Sequence, residues 1–124
     1  MADFKFSPIP RLPFVIENEA GEVIKEYSLD VGSDSFFRAI MDKGMAVSRA
    51  ARGLTTGETS YDEMTAILRE FVDFAFDKSG EYDALFKLFN RNIYAMIELS
   101  VAVCAKGQAA IEDRKKVNTA VYGG

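Results

Sequence analysis

The chain has no histidine, no tryptophan and only one cysteine among its 124 residues. Without histidine, the commonest general base and the commonest metal ligand are both missing. Cys104 cannot form an internal disulfide. It lies in the apolar stretch Leu99–Ala105 and reads as a buried free thiol. Its nearest cation in sequence is Lys106, so nothing marks it as an activated thiolate. There is no Gly-rich phosphate loop; the glycines are scattered at helix ends and turns, where backbone geometry explains them. No apolar run approaches the ~20 residues of a membrane span. The opening Met1–Pro10 is polar and Pro-containing, unlike a signal peptide. A reducing cytoplasm fits this cysteine usage.

Charge is also sparse in the form that nucleic acid requires. The net charge is −4, and no dense basic patch occurs. Residues 33–54 carry Arg38, Lys43, Arg49 and Arg52 against Asp34 and Asp42. Residues 60–89 hold seven acids and three bases, and residues 90–124 hold five bases and three acids. The helical parts thus run weakly positive, negative, positive. Solvated faces explain that pattern, and head-to-tail complementarity between subunits is the sharper alternative.

Against these absences, 48% of the residues are hydrophobic, enough for one folded domain spanning 1–124. All three prolines, Pro8, Pro10 and Pro13, fall in the opening segment, so residues 1–13 are expected as an extended lead-in. Two β-rich runs flank a turn containing Asn18 and Gly21, predicting a hairpin over 14–29. In its second run Val23, Lys25, Tyr27 and Leu29 share the face expected to pack on helices. Ser33 with Asp34 signals a helix start, and that first helix is expected to close near Arg52 or Leu54. Its core face carries Phe36, Ile40, Val47, Ala51 and Leu54.

Ser60-Tyr61-Asp62-Glu63 fits a capping box that opens a second helix, expected to reach Asp77. A break at Lys78-Ser79-Gly80 leads to a short third helix with Tyr82, Leu85, Phe86 and Phe89 on one face. Asn92 can cap a fourth helix from Ile93 to about Arg114. That helix is apolar around more than half its circumference, which makes it central to the fold or part of an interface. Helical structure is expected over 33–116 and a flexible tail over 117–124. The fold class is therefore mainly α (α+β): an N-terminal β-hairpin, then about four helices, with the last one central.

Nothing here is arranged for chemistry. Asp73 and Asp77 stand at i, i+4 on the second helix, but with no further ligands they read as a solvated face. No metal, cofactor or catalytic set is expected, and the protein does not read as an enzyme. The excess is apolar. Phe37, Met41 and Met45 form a second stripe beside the core face of the first helix. Met suits an adaptable groove or an oligomer seam. The simpler alternative is that the hairpin or the lead-in covers it. Phe74, Phe76, Phe86 and Phe89 crowd the junction of the second and third helices in the same way. These seven residues are the candidate partner or oligomer interface.

The order of elements carries a resemblance. A hairpin and a long helix precede a Ser/Thr/Gly loop and an acidic helix ending in Phe71-Val72-Asp73-Phe74-Ala75-Phe76-Asp77. Ser79-Gly80, Tyr82-x-x-Leu85-Phe86, Asn90-Arg91-Asn92 and a final apolar helix follow. Over residues 14–105 this resembles the tail assembly chaperones of long-tailed phages of Gram-positive bacteria. The chain departs from that pattern in its Met- and Arg-containing first helix and its Pro-bearing lead-in. The resemblance implies a non-enzymatic role: coating the long tape measure protein until tail-tube subunits replace it. It also implies self-association into a homo-oligomer, a longer frameshifted form and, for a phage gene, the host cytoplasm. Two alternatives stand beside it. One is a permanent structural phage component such as a head–tail connector or tail completion protein. The other is a small regulatory or ligand-binding domain. None of the three involves nucleic acid or a membrane.

Overall fold

Residues 12–29 form an antiparallel hairpin because β-prone residues alternate on both sides of a tight loop. A computed structural model describes residues 3–6 and 10–121, and of 114–121 the backbone alone. β1 (Leu12–Glu17) pairs with β2 (Val23–Leu29) in the register Leu12↔Leu29, Phe14↔Tyr27 and Ile16↔Lys25. The loop is closed by Asn18, whose side-chain oxygen accepts from the amides of Ala20 and Glu22, and by Gly21 at φ 80°. β1 begins at Leu12, so Pro13 belongs to the strand rather than to the lead-in. A two-stranded sheet has only edges, and an edge strand tolerates a proline. The inner face is Leu12, Phe14 and Ile16 with Lys25, Tyr27 and Leu29; Val23, expected on that face, is exposed beside the bulge at Ile16/Glu17.

Four helices follow: α1 (Asp34–Thr56), α2 (Tyr61–Ala75), α3 (Glu81–Leu88) and α4 (Ile93–Val121). The caps are local and sit where the side chains predict. Ser33 accepts from the Phe36 amide, Ser60 from Glu63, and Asn92 from Tyr94 and Ala95. α1 runs to Thr56 because the left-handed residue that ends it is Gly57, at φ 85°. Gly53 stays inside the helix, where Thr59 packs so closely that a Cβ would collide with it. α2 ends at Ala75, two residues before the expected Asp77, because Asp77 itself turns left-handed at φ 51°. α4 continues past Arg114 to Val121, so residues 117–121, expected as tail, have helical backbone; residues 122–124 lie outside those described.

The result is an N-terminal hairpin followed by a four-helix unit, α+β and mainly α. α4 is central: it packs on α1, α2, α3 and β1. Its Ile93, Met96, Leu99 and Val103 meet Met64, Leu68, Phe71 and Val72 of α2 in one core with Tyr82, Leu85, Ile40 and Val47. Tyr94 and Val101 of α4 point outward, so the helix is not buried all round. Among the described residues no helix is long and apolar enough to cross a membrane.

One buried carboxylate ties hairpin to bundle. Glu81, the first residue of α3, is 2% exposed. The Tyr27 hydroxyl donates to it, Lys25 lies at 3.3 Å and Lys78 at 3.4 Å. Burial pushes its carboxyl up, but the Tyr27 hydrogen bond and the two ammonium groups outweigh this and hold it below the ordinary glutamate value. Beside it Tyr27 stacks on Phe76 at 3.8 Å and Phe14 touches the same ring at 5.8 Å. The helical caps extend this junction: Asp73 accepts from the Gly80 and Tyr82 amides, replacing the side-chain cap that Gly80 cannot supply to α3.

A depressed carboxyl pKa stabilises the fold above the unfolded value near 4.5, and that contribution is lost as pH falls through the folded value. Urea denaturation of Glu81→Gln at pH 7 is expected to show a loss of about 1–3 kcal/mol. The gap to the parent chain is expected to narrow as pH falls through the folded value, below the ordinary glutamate range, and to close only where the parent carboxyl also carries its proton.

Candidate partner-binding groove

α1 and α4 approach closely at one point, and a groove lined by both helices lies beside it. The close approach is set by Gly44. A Cβ built there would lie 2.5 Å from the Cys104 sulfur, so no larger residue fits without movement. Gly in a helix interior costs about 1 kcal/mol relative to Ala, and the contact with α4 explains its presence. Beside this contact lies a groove of about 320 Å3 whose lining includes Gly44 and Cys104.

Met41, Met45, Arg49 and Arg52 form one wall, spaced so that successive turns of α1 present them to the same side. Val101, Ala105 and Gln108 of α4 form the other. From Met41 to Arg52 the wall is about 16 Å long at 1.5 Å per residue, three turns of helix. Met45 and Val101 are more than half exposed, and Arg49 and Arg52 are exposed and unpaired among the described residues. The groove is thus apolar at its base and positive at one end.

Burial pushes the Cys104 thiol up, away from the thiolate, and the sulfur leans only on the Ile40 carbonyl at 3.9 Å. Ser100, a buried hydroxyl in the lining, donates back to the Met96 carbonyl. Among the described residues no three Cys, Asp or Glu side chains gather as a metal set.

The seven sequence-derived interface residues fall into different places. Met41 and Met45 line the groove, while Phe37 is half-buried and outside it. Phe74 is partly exposed between Phe36, stacked on it at 5.4 Å, and Lys43, whose ammonium is 5.2 Å from the ring. Lys43 also meets Glu70 at 2.8 Å, so Phe74 forms a separate, polar-rimmed patch. Phe76, expected at the surface, is buried within this chain instead. It is 8% exposed, sealed under the hairpin by Tyr27 and Phe14, because the chain leaves the helix one residue before it. Phe86 and Phe89 are half-buried against the core, Phe86 stacked on Tyr82 at 5.5 Å. The sequence reading missed Val101, Arg49 and Arg52. Val101 carried a signal: it stands at i+7 from Tyr94, on the face opposite Met96 and Val103.

Gly44→Ala is expected to cost about 1–3 kcal/mol through overpacking, despite the better helix propensity of alanine. Adding Cys104→Ala is expected to recover part of that loss, because it removes the sulfur that the new methyl meets. Thermal or urea denaturation of the two single variants and the double variant measures this coupling.

No family model, no curated protein and no solved structure matches the chain.

Proposed function

We propose that this chain is a non-enzymatic protein-binding domain that receives an apolar helical partner in the α1–α4 groove. The observation that carries the proposal is the exposed, Met-walled groove, three turns long, with two arginines at one end that have no partner among the described residues. A helix laid in it would bury one apolar stripe, and Met side chains adapt to more than one sequence. The arginines favour a helix with acidic residues at the end that meets them.

Within that class we propose a tail assembly chaperone acting on a tape measure protein and self-associating. This finer reading rests on the element order from hairpin to final helix. The groove supports it physically: a very long helical protein repeats apolar stripes, and a chaperone must hold many of them weakly. A permanent head–tail component is the nearest competitor and would remain in the finished particle as a ring. A small apolar ligand is the second competitor, because about 320 Å3 also lies at the low end of small-molecule sites.

The test is titration of a designed amphipathic helical peptide, with a Leu stripe and acidic residues at one end, followed through the Met methyl resonances. Shifts at Met41 and Met45 with micromolar affinity are expected. Met45→Asp with Val101→Asp should weaken binding at least tenfold while leaving helicity unchanged, since both side chains are more than half exposed. Absence of binding, or binding indifferent to these substitutions, would sink the groove reading. For the chaperone role, co-expression with a very long helical protein from a neighbouring gene is expected to yield a soluble complex. Recovery of the chain in finished particles would favour the structural component instead.

A further inference from the structure

We propose that the groove of one copy takes the leading segment Asp3–Phe6 of a second copy, an inference that rests on the groove being a protein-binding surface. Phe4 is 79% exposed and Phe6 74%, the two most exposed large apolar side chains among the described residues. On their own chain neither ring is covered, so the segment does not occupy the groove it belongs to. Two bare phenyl groups two positions apart are an unusual exposure for a soluble chain.

The groove matches them in size. A cavity of about 150 Å3 accommodates one benzene, so about 320 Å3 has room for two rings. It matches them in shape as well. In an extended segment alternate residues face the same way, so Phe4 and Phe6 enter together while Asp3 and Lys5 stay at the rim. Charge agrees: Asp3, beside the first ring, meets the end of the groove where Arg49 and Arg52 have no partner among the described residues. Pro8 and Pro10 lie in sequence between this segment and β1, and proline stiffens a linker. Exchange of such a segment is a low-cost route to a pair, and reciprocal exchange closes at two copies. Because a partner helix uses the same groove, self-association and partner binding exclude each other at that site.

The experiment uses the full chain, Phe4→Ser with Phe6→Ser, and Met45→Asp. Mass is measured by light scattering over a concentration series. The parent chain is expected to rise toward twice 13.8 kDa. Each variant should need at least about thirtyfold more protein to do so. Mixing the two variants is expected to restore pairing, since one supplies an intact groove and the other an intact segment. A labelled peptide of residues 1–11 should bind the Phe4→Ser/Phe6→Ser chain and not the Met45→Asp chain. A parent chain that is monomeric throughout, or a Phe4→Ser/Phe6→Ser chain that associates like the parent, would overturn the proposal. So would a peptide that fails to bind. If that peptide fails while the designed amphipathic helix still binds, only the segment exchange falls; if both fail, the groove reading falls with it.

Discussion

The contact on which the rest of this structure depends is the burial of Glu81 beneath the hairpin. A two-stranded sheet is marginal alone, and here it is held by one carboxylate and one aromatic ring. Glu81 brings Tyr27 and Lys25 of β2 onto the start of α3, and Phe76 fills the space between the Tyr27 and Phe14 rings. Removing a charge from water is costly, so the carboxylate stays ionised only while its partners surround it. The hairpin, the end of α2 and the start of α3 are therefore one unit. Asp73, which caps α3 across the break, completes it.

A second constraint shapes the opposite side. α1 and α4 meet over Gly44 and Cys104, where there is no space for another methyl. Beside that contact Met41, Met45 and Val101 line an open groove. The cost is a glycine inside a helix and apolar surface left in water.

The elements were legible from the chain because their signals are local. Ser33, Ser60 and Asn92 each cap a helix within three residues, and the Asn18–Gly21 loop fixes the hairpin. Errors arose where a boundary rotated a side chain. Ending α2 at Ala75 rather than Asp77 takes Phe76 off the helical period and places it under the hairpin. Glu81 read as one more solvated acid, because its partner Tyr27 lies 54 positions away and no local pattern connects them. Of the groove, the sequence showed the Met41/Met45 stripe but not the opposing wall.

The sequence by itself determined the class of the fold, the order of its elements and the poverty of its chemistry. Caps, periodicity and the absence of histidine are properties of neighbouring residues or of composition, and no packing is needed to read them. Tertiary structure alone decided which apolar residues are core and which are surface. Phe76 and Met45 are both large and apolar, yet one is buried and the other faces water. The difference comes from what lies opposite each: the hairpin, anchored through Glu81, covers the first, while the second borders the open groove between α1 and α4.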